Sequence, residues 1–199
     1  MPAGAGESFG AWGMSYVMEF EPTRLPEVVL IKPRAFRDDR GFFMETWQEQ
    51  KFAAAGIEAR FVQDNHSHSV RHTLRGLHYQ IRQAQGKLVR VVQGAAWDVA
   101  VDMRRRSPRF GQWVGVELTA DNHHMLWVPP GFAHGYLALS DTVDFLYKCT
   151  DLYAQPHERA VRWDDPTIGI RWPLPPGVPP KLSPRDQVAP LLGDAEAYA

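Results

Sequence analysis

From Leu25 onward, apolar and polar positions alternate in short stretches broken by Gly, Pro, Asp or Asn, the period of extended strands rather than helices. Val28-Val29-Leu30-Ile31 is a β-branched run closed by Pro33, Asp38-Asp39-Arg40-Gly41 predicts a turn, and Phe42 to Trp47 predicts the next strand. Gln48 to Ala55 carries good helix formers ahead of Gly56 and predicts the only early helix. Further strands are predicted at Leu88–Val92, Ala96–Met103, Trp113–Leu118, Met125–Val128, Tyr136–Leu139 and Val143–Tyr153. Their spacing of about ten residues is that of an antiparallel sandwich or barrel, so the expected class is all-β with a few short helices. Within Ala96–Met103, Trp97, Val99 and Val101 alternate with Asp98, Ala100 and Asp102, which predicts a core row on one face and acids on the other.

The ends depart from this pattern. Met1 to Met18 is rich in Gly, Ala and Ser, lacks Lys and Arg, and reads as an extension resembling neither a signal nor a transit peptide. Trp172 to Leu192 is punctuated by proline, which forbids regular ladders, so this tail is expected to lie irregularly against the sandwich with a short helix from Ser183. Residues 19–199 are expected to form a single domain, with the Pro-rich segment 172–192 as its tail.

Composition narrows the function. With 22 basic against 23 acidic residues there is no long-range field for nucleic acid or an anionic membrane, so an anionic ligand must be held by a few local cations. No apolar run is long enough to span a membrane. The single cysteine, Cys149, excludes an internal disulfide framework and suits a reducing, cytoplasmic location.

Candidate chemistry concentrates in Gln63 to Ser69, Thr73 to Gln80 and Gln85 to Arg90, where histidines, arginines, a lysine, amides and an acid interleave with apolar residues. Such a mixture is expensive to bury unless a ligand or a proton transfer uses it. His78 is placed mid-strand with Leu74, Gly76 and Gln80 on its face and Arg75, Leu77 and Tyr79 on the other. Lys87 alternates with Val89 and Val91, so its ammonium projects toward an apolar face. Pro129-Pro130-Gly131-Phe132-Ala133-His134 has the Pro-x-Gly-x-x-His form of the second cupin motif. The companion His-x-His fails, because Gln80 stands two residues after His78 and His66-Ser67-His68 lacks the acid and spacing, so a metal site is rejected. Tyr147 shares a face with Phe145 and Cys149, and becomes an acid candidate only if it faces His78. Arg104-Arg105-Arg106 reads as a solvated turn. No Gly-rich loop opens a helix and no Gly-x-Ser-x-Gly elbow is present.

Phe36 through Trp47, Gln63-Asp64-Asn65-His66-Ser67, Leu74 through Gln80, Gln85 through Arg90, Asp98 through Asp102, Ser107-Pro108-x-Phe110-Gly111, Gly131 through Gly135 and Tyr147-Lys148 occur in one order that closely resembles the dTDP-4-dehydrorhamnose 3,5-epimerase family, over Leu25 to Leu192. The resemblance implies a cupin-like jelly roll and a homodimer that needs no cofactor and makes dTDP-4-dehydro-L-rhamnose from dTDP-4-dehydro-6-deoxy-D-glucose. By the family pattern His78 is the base, Asp186 pairs with it, Tyr147 is the acid on the opposite face, and Lys87 is the cation near the keto oxygen. Arg40, Glu45, Gln63, Asn65, Arg75, His134 and Glu158 match sugar-nucleotide contacts, Tyr153 matches an aromatic that stacks on thymine, and Arg185 stands where a diphosphate-contacting lysine is common. Leu152 replaces a frequent tyrosine, and the Tyr79-to-Gln85 loop is short. Three other readings stay open: epimerisation at C3 alone, a 3,4-ketoisomerase, and a sugar-binding cupin without catalysis.

Overall fold

The computed structural model describes residues 18–199; the extension expected over residues 1–18 lies, apart from Met18, outside the described residues. Two antiparallel sheets face each other. One has six strands in the order β1 (Glu19–Pro22), β2 (Val29–Lys32), β10 (Met125–Val128), β7 (Lys87–Gln93), β12 (Thr142–Cys149) and β5 (Gln63–Val70). The other has five, in the order β13 (Glu158–Ala160), β6 (Leu74–Gln80), β11 (Phe132–Ala138), β8 (Ala95–Asp102) and β9 (Trp113–Thr119). This is the all-β, cupin-like jelly roll expected from the sequence. A separate hairpin pairs β3 (Ala35–Asp38) with β4 (Gly41–Met44) around the predicted turn.

Strand alternation builds the space between the sheets. Val89, Val91, Val143 and Phe145 point inward from the larger sheet to meet Ala96, Ala100, Phe132 and Tyr136 from the smaller one. Phe145 is fully buried and stacks flat on Tyr136, with centroids 4.1 Å apart. Burying a side chain of that size stabilises the fold by roughly 2–3 kcal/mol. Helix α1 (Glu49–Ala54) starts where Gln48 caps the Lys51 amide at 2.7 Å and buries Phe52 against Phe20 and Trp47 on the outer side of the larger sheet.

The predicted strand Phe42–Trp47 stops at Met44, and the one expected over Val143–Tyr153 stops at Cys149. The strand expected over Tyr136–Leu139 runs instead from Phe132 to Ala138, so His134 belongs to a ladder.

Strand β8 differs more from expectation. Both its faces are buried: Val99 and Val101 pack beneath Ile168, Leu192 and Ala195 of the C-terminal chain, while Asp98, Ala100 and Asp102 look inward. Alternation assigns residues to two faces; only the tail decides that neither face is wet. Arg104 is likewise not a solvated turn residue, since it grips buried Asp102 at 2.9 and 2.7 Å, reaches Glu27 at 2.9 Å and lies over the Phe132 ring.

The Pro-rich tail is anchored as irregular chain. Lys181 bridges Thr73, and the short helix α2 (Pro184–Gln187) is capped by Ser183, whose hydroxyl accepts from the Asp186 amide at 3.1 Å. Helix α2 lies against β6, and that contact brings Asp186 to the site.

Candidate active site

A cavity of about 440 Å³ opens between the sheets, walled by His78, Arg75, His134 and Tyr136 from the smaller sheet, Lys87, Ser67 and Tyr147 from the larger, and Asp186 from α2. A second cavity of about 250 Å³ shares His78, Lys87 and Tyr147 with it and continues past Gln63, Asn65, Tyr153 and Glu158. The ladders explain the convergence. Tyr147 pairs with Asn65 on one side and Val89 on the other, and Cys149 pairs with Gln63 and Lys87. Opposite them, His78 lies between His134 on β11 and Ala160 on β13.

A register shift sets one wall. Between His134 and Tyr136 strand β11 advances two residues while β6 advances three, from His78 back to Arg75. The extra residue breaks the alternation that predicted Arg75 and His78 on opposite faces, and both line the cavity. Gly76 makes this fit: its φ is +116°, and a Cβ there would stand 2.7 Å from both the Gly135 Cα and the His134 carbonyl oxygen.

His78 Nε2 lies 2.5 Å from Asp186 Oδ1. Burial opposes charge on Asp186, but hydrogen bonds from His78, Ser183 and the Gly76 amide hold its carboxyl below the usual carboxylate range. An ionised partner makes Nε2 the N–H donor, which leaves the Nδ1 lone pair for a proton. Tyr147, half-buried on the facing sheet, has its phenol pushed up to about 12, chiefly by burial, so it remains a proton donor at neutral pH. Lys87 has its ammonium pushed down by burial, and its Nζ lies 6.0 Å from the Tyr147 ring centroid.

The remaining expected contacts divide into three groups. Gln63, Asn65, Tyr153 and Glu158 line the second cavity; Tyr153 donates to Glu158 at 2.6 Å, and Arg185 pairs with the same carboxylate. Arg75 donates to Ser69 Oγ at 3.0 Å beside the first cavity. Arg40 and Glu45 line neither: Arg40 projects from the β3–β4 turn with 86% of its side chain exposed, paired among the described residues with Asp38 alone, and Glu45 pairs with Lys51 at 2.6 Å. His66 and His68 point away from the cavity and share Asp144 at 2.9 and 3.0 Å. Among the described residues no three of His, Cys, Asp and Glu are grouped to hold a metal ion.

Sequence reasoning missed Asp98. It is fully buried, and His134 Nε2 donates to its two carboxylate oxygens at 3.1 and 2.9 Å, a second imidazole–carboxylate pair next to the first. The available signal was an acid flanked by Trp97 and Val99, which alternation assigned to a polar face.

Fold and site together define a cupin-like enzyme whose cavity holds the side chains of general acid–base chemistry. The family model described as dTDP-4-dehydrorhamnose 3,5-epimerase matches residues 22–194. The chain belongs to the dTDP-4-dehydrorhamnose 3,5-epimerase family. It is 53% identical over 175 residues to the dTDP-4-dehydrorhamnose 3,5-epimerase of Pseudomonas aeruginosa, covering 87% of this chain and 96% of that one. The crystal structure of the dTDP-6-deoxy-D-glucose-3,5-epimerase of Legionella pneumophila in complex with dTDP-4-keto-L-rhamnose superposes with a TM-score of 0.87 at 46% identity, covering 92% of this chain and 100% of that one. A 3'-monoepimerase from Streptomyces bikiniensis in complex with dTDP-quinovose has a TM-score of 0.81 at 34% identity, over 86% and 87% of the two chains.

Proposed function

We propose that His78, Tyr147 and Lys87 carry out the epimerisation of dTDP-4-dehydro-6-deoxy-D-glucose at C3 and C5, giving dTDP-4-dehydro-L-rhamnose for dTDP-L-rhamnose biosynthesis. The enzyme is an isomerase. A carbon next to a ketone is inverted by removing its proton to form an enolate and returning a proton to the other face, so base and acid must flank the ring. His78 takes the proton from carbon while Asp186 orients the imidazole and stabilises the imidazolium that forms. Lys87 holds the oxygen on which negative charge develops. Tyr147 then delivers a proton from the far side, and base and acid are reset by exchange with solvent. The observation that carries this reading is that His78 and Tyr147 stand on opposite sheets of one cavity. Nothing in the reaction requires a cofactor.

Gln63, Asn65, Arg75, His134, Tyr153, Glu158 and Arg185 hold the sugar nucleotide along the two joined cavities, with Arg75 and Arg185 as local cations for the diphosphate. Arg40 and Glu45 act from a second copy of the chain. Their hairpin carries Phe42 and Phe43, 52% and 62% exposed, and in a homodimer it reaches the partner's cavity. A cytoplasmic location is the reading that the single, free and buried thiol of Cys149 supports; among the described residues no helix is long and apolar enough to cross a membrane.

Turnover in deuterated water with a reductase trapping the product tests the reaction. Deuterium at both C3 and C5 is expected, and label at neither carbon would dispose of it. Label at C3 alone would favour the second reading, which the similarity to the 3'-monoepimerase supports.

A further inference from the structure

We propose that Asp98 is the counter-ion of Lys87, a positioning residue set behind His134 whose carboxylate keeps the ammonium charged where the keto oxygen is held. The proposal rests on the reading of Lys87 as the cation at that oxygen. Among the described residues Lys87 Nζ makes no ion pair or hydrogen bond, although it lines the cavity that opens between the two sheets. Burial disfavours the charged form of a lone ammonium in such a place, and a nearby anion offsets that effect.

The groups facing Lys87 leave one such anion. Strand β12 contributes Cys149 and Tyr147, and burial pushes both up, so thiol and phenol are neutral near pH 7. From β13, Glu158 is engaged by Arg185 and Tyr153. From β6 come His78, whose Asp186 is engaged by the imidazole itself, and Arg75, a cation. Strand β11 presents His134, and behind its ring on β8 lies Asp98. Asp98 meets only the His134 N–H among the described residues, a bond that fixes its direction without satisfying a full charge. Burial pushes the Lys87 ammonium down and the Asp98 carboxyl up, and each charge opposes the shift of the other. His134 lines the cavity together with Lys87 and is hydrogen-bonded to Asp98 at 2.9 Å, so the carboxylate stands one side chain away from the space the ammonium borders.

The test compares kcat and KM across pH for the parent, Asp98→Asn and Asp98→Glu. In Asp98→Asn the alkaline limb of kcat should move about one unit or more toward lower pH. KM should stay within about twofold, and Asp98→Glu, which keeps the charge, should return the limb toward the parent position. Titration of the Lys87 ε-carbon signal by NMR reads the same shift directly where another step limits turnover. An unmoved limb and an unmoved Lys87 titration overturn the proposal, including the case in which kcat falls equally at every pH, the signature of a structural role. Should Asp98→Asn fail to fold, Asp98→Ser carries the same comparison with the same criteria. Lys87→Met separates the two layers: if it turns over like the parent, the reading of Lys87 itself fails. If it is inactive while the Asp98→Asn limb is unmoved, only the counter-ion proposal fails.

Discussion

His78 and Asp186, 108 residues apart in the chain, are joined by a 2.5 Å hydrogen bond at the wall of the cavity. One lies on β6 and the other in the first turn of the helix packed against that strand, so the pair exists only when the tail is docked. His78→Ala should reduce kcat by about a thousandfold or more while leaving the melting temperature near the parent's, because the ring projects into a cavity rather than into packed core. Asp186→Asn should lower kcat by about a hundredfold or more through loss of the favoured tautomer. Steady-state kinetics beside circular dichroism checks both, and near-parental turnover of His78→Ala would remove it from the role of base.

Tyr147 is the proposed donor to the opposite face, so Tyr147→Phe should separate the two halves of the reaction. Proton removal by His78 continues, and substrate recovered from deuterated water should carry label that arrived on the face it left. Inverted product should fall by about a hundredfold or more. With the phenol pushed up to about 12, the parent should show no loss of activity from Tyr147 ionisation between pH 7 and about 10. Undiminished inversion by Tyr147→Phe would assign the acid elsewhere.

The β3–β4 hairpin offers a test of assembly. If Arg40 serves the partner's cavity, Arg40→Ala and His78→Ala chains fail for different reasons, and a mixed dimer holds one site with both residues intact. Co-expression of the two variants should recover up to about a quarter of parental turnover, set by the share of mixed dimers and one working site in each. Each variant alone should stay low, and sedimentation should report a dimer. Absence of recovery in verified mixed dimers would return Arg40 to its own subunit.

Asp102 and Arg104 carry a stability prediction. Although burial opposes ionisation of Asp102, its bonds to Arg104 and Ser107 hold the carboxyl below the usual range. A carboxylate depressed in the folded state stabilises it above the unfolded value near pH 4, and that contribution is lost as pH falls through the folded value. Arg104→Ala leaves Asp102 buried without its partner and should cost roughly 3 kcal/mol at pH 7. Because the stranded carboxyl now gains from protonation, the gap to the parent should narrow as pH falls from about 4 toward 3. Denaturant titrations at both pH values measure it, and a gap that widens on acidification would contradict the ion-pair account.

Much of this molecule is readable from the chain. Period-two alternation and turn residues were sufficient for the all-β class, helix formers ahead of Gly56 for the helix after Gln48, and prolines for an irregular tail with its helix at Ser183, because each depends on neighbours a few residues away. His78, Lys87, Tyr147 and Asp186 were nameable because motifs preserve residue order, yet order holds no information about where Arg40 and Glu45 reach. Other features were hidden from alternation for a physical reason, even where the motif order named the residue. Arg75 joins the cavity because β6 carries one residue more than β11 across the shift, and a register is a property of two strands.

Asp98 is the sharpest case. The sequence by itself determined that an acid alternates with Trp97 and Val99 on a strand, and therefore which residues share its side. Whether that side meets water or the interior was decided only when the C-terminal chain closed over the opposite face and β11 brought His134 within hydrogen-bonding distance. Burial and charge pairing are sums over contacts distant in sequence, and no local pattern contains them.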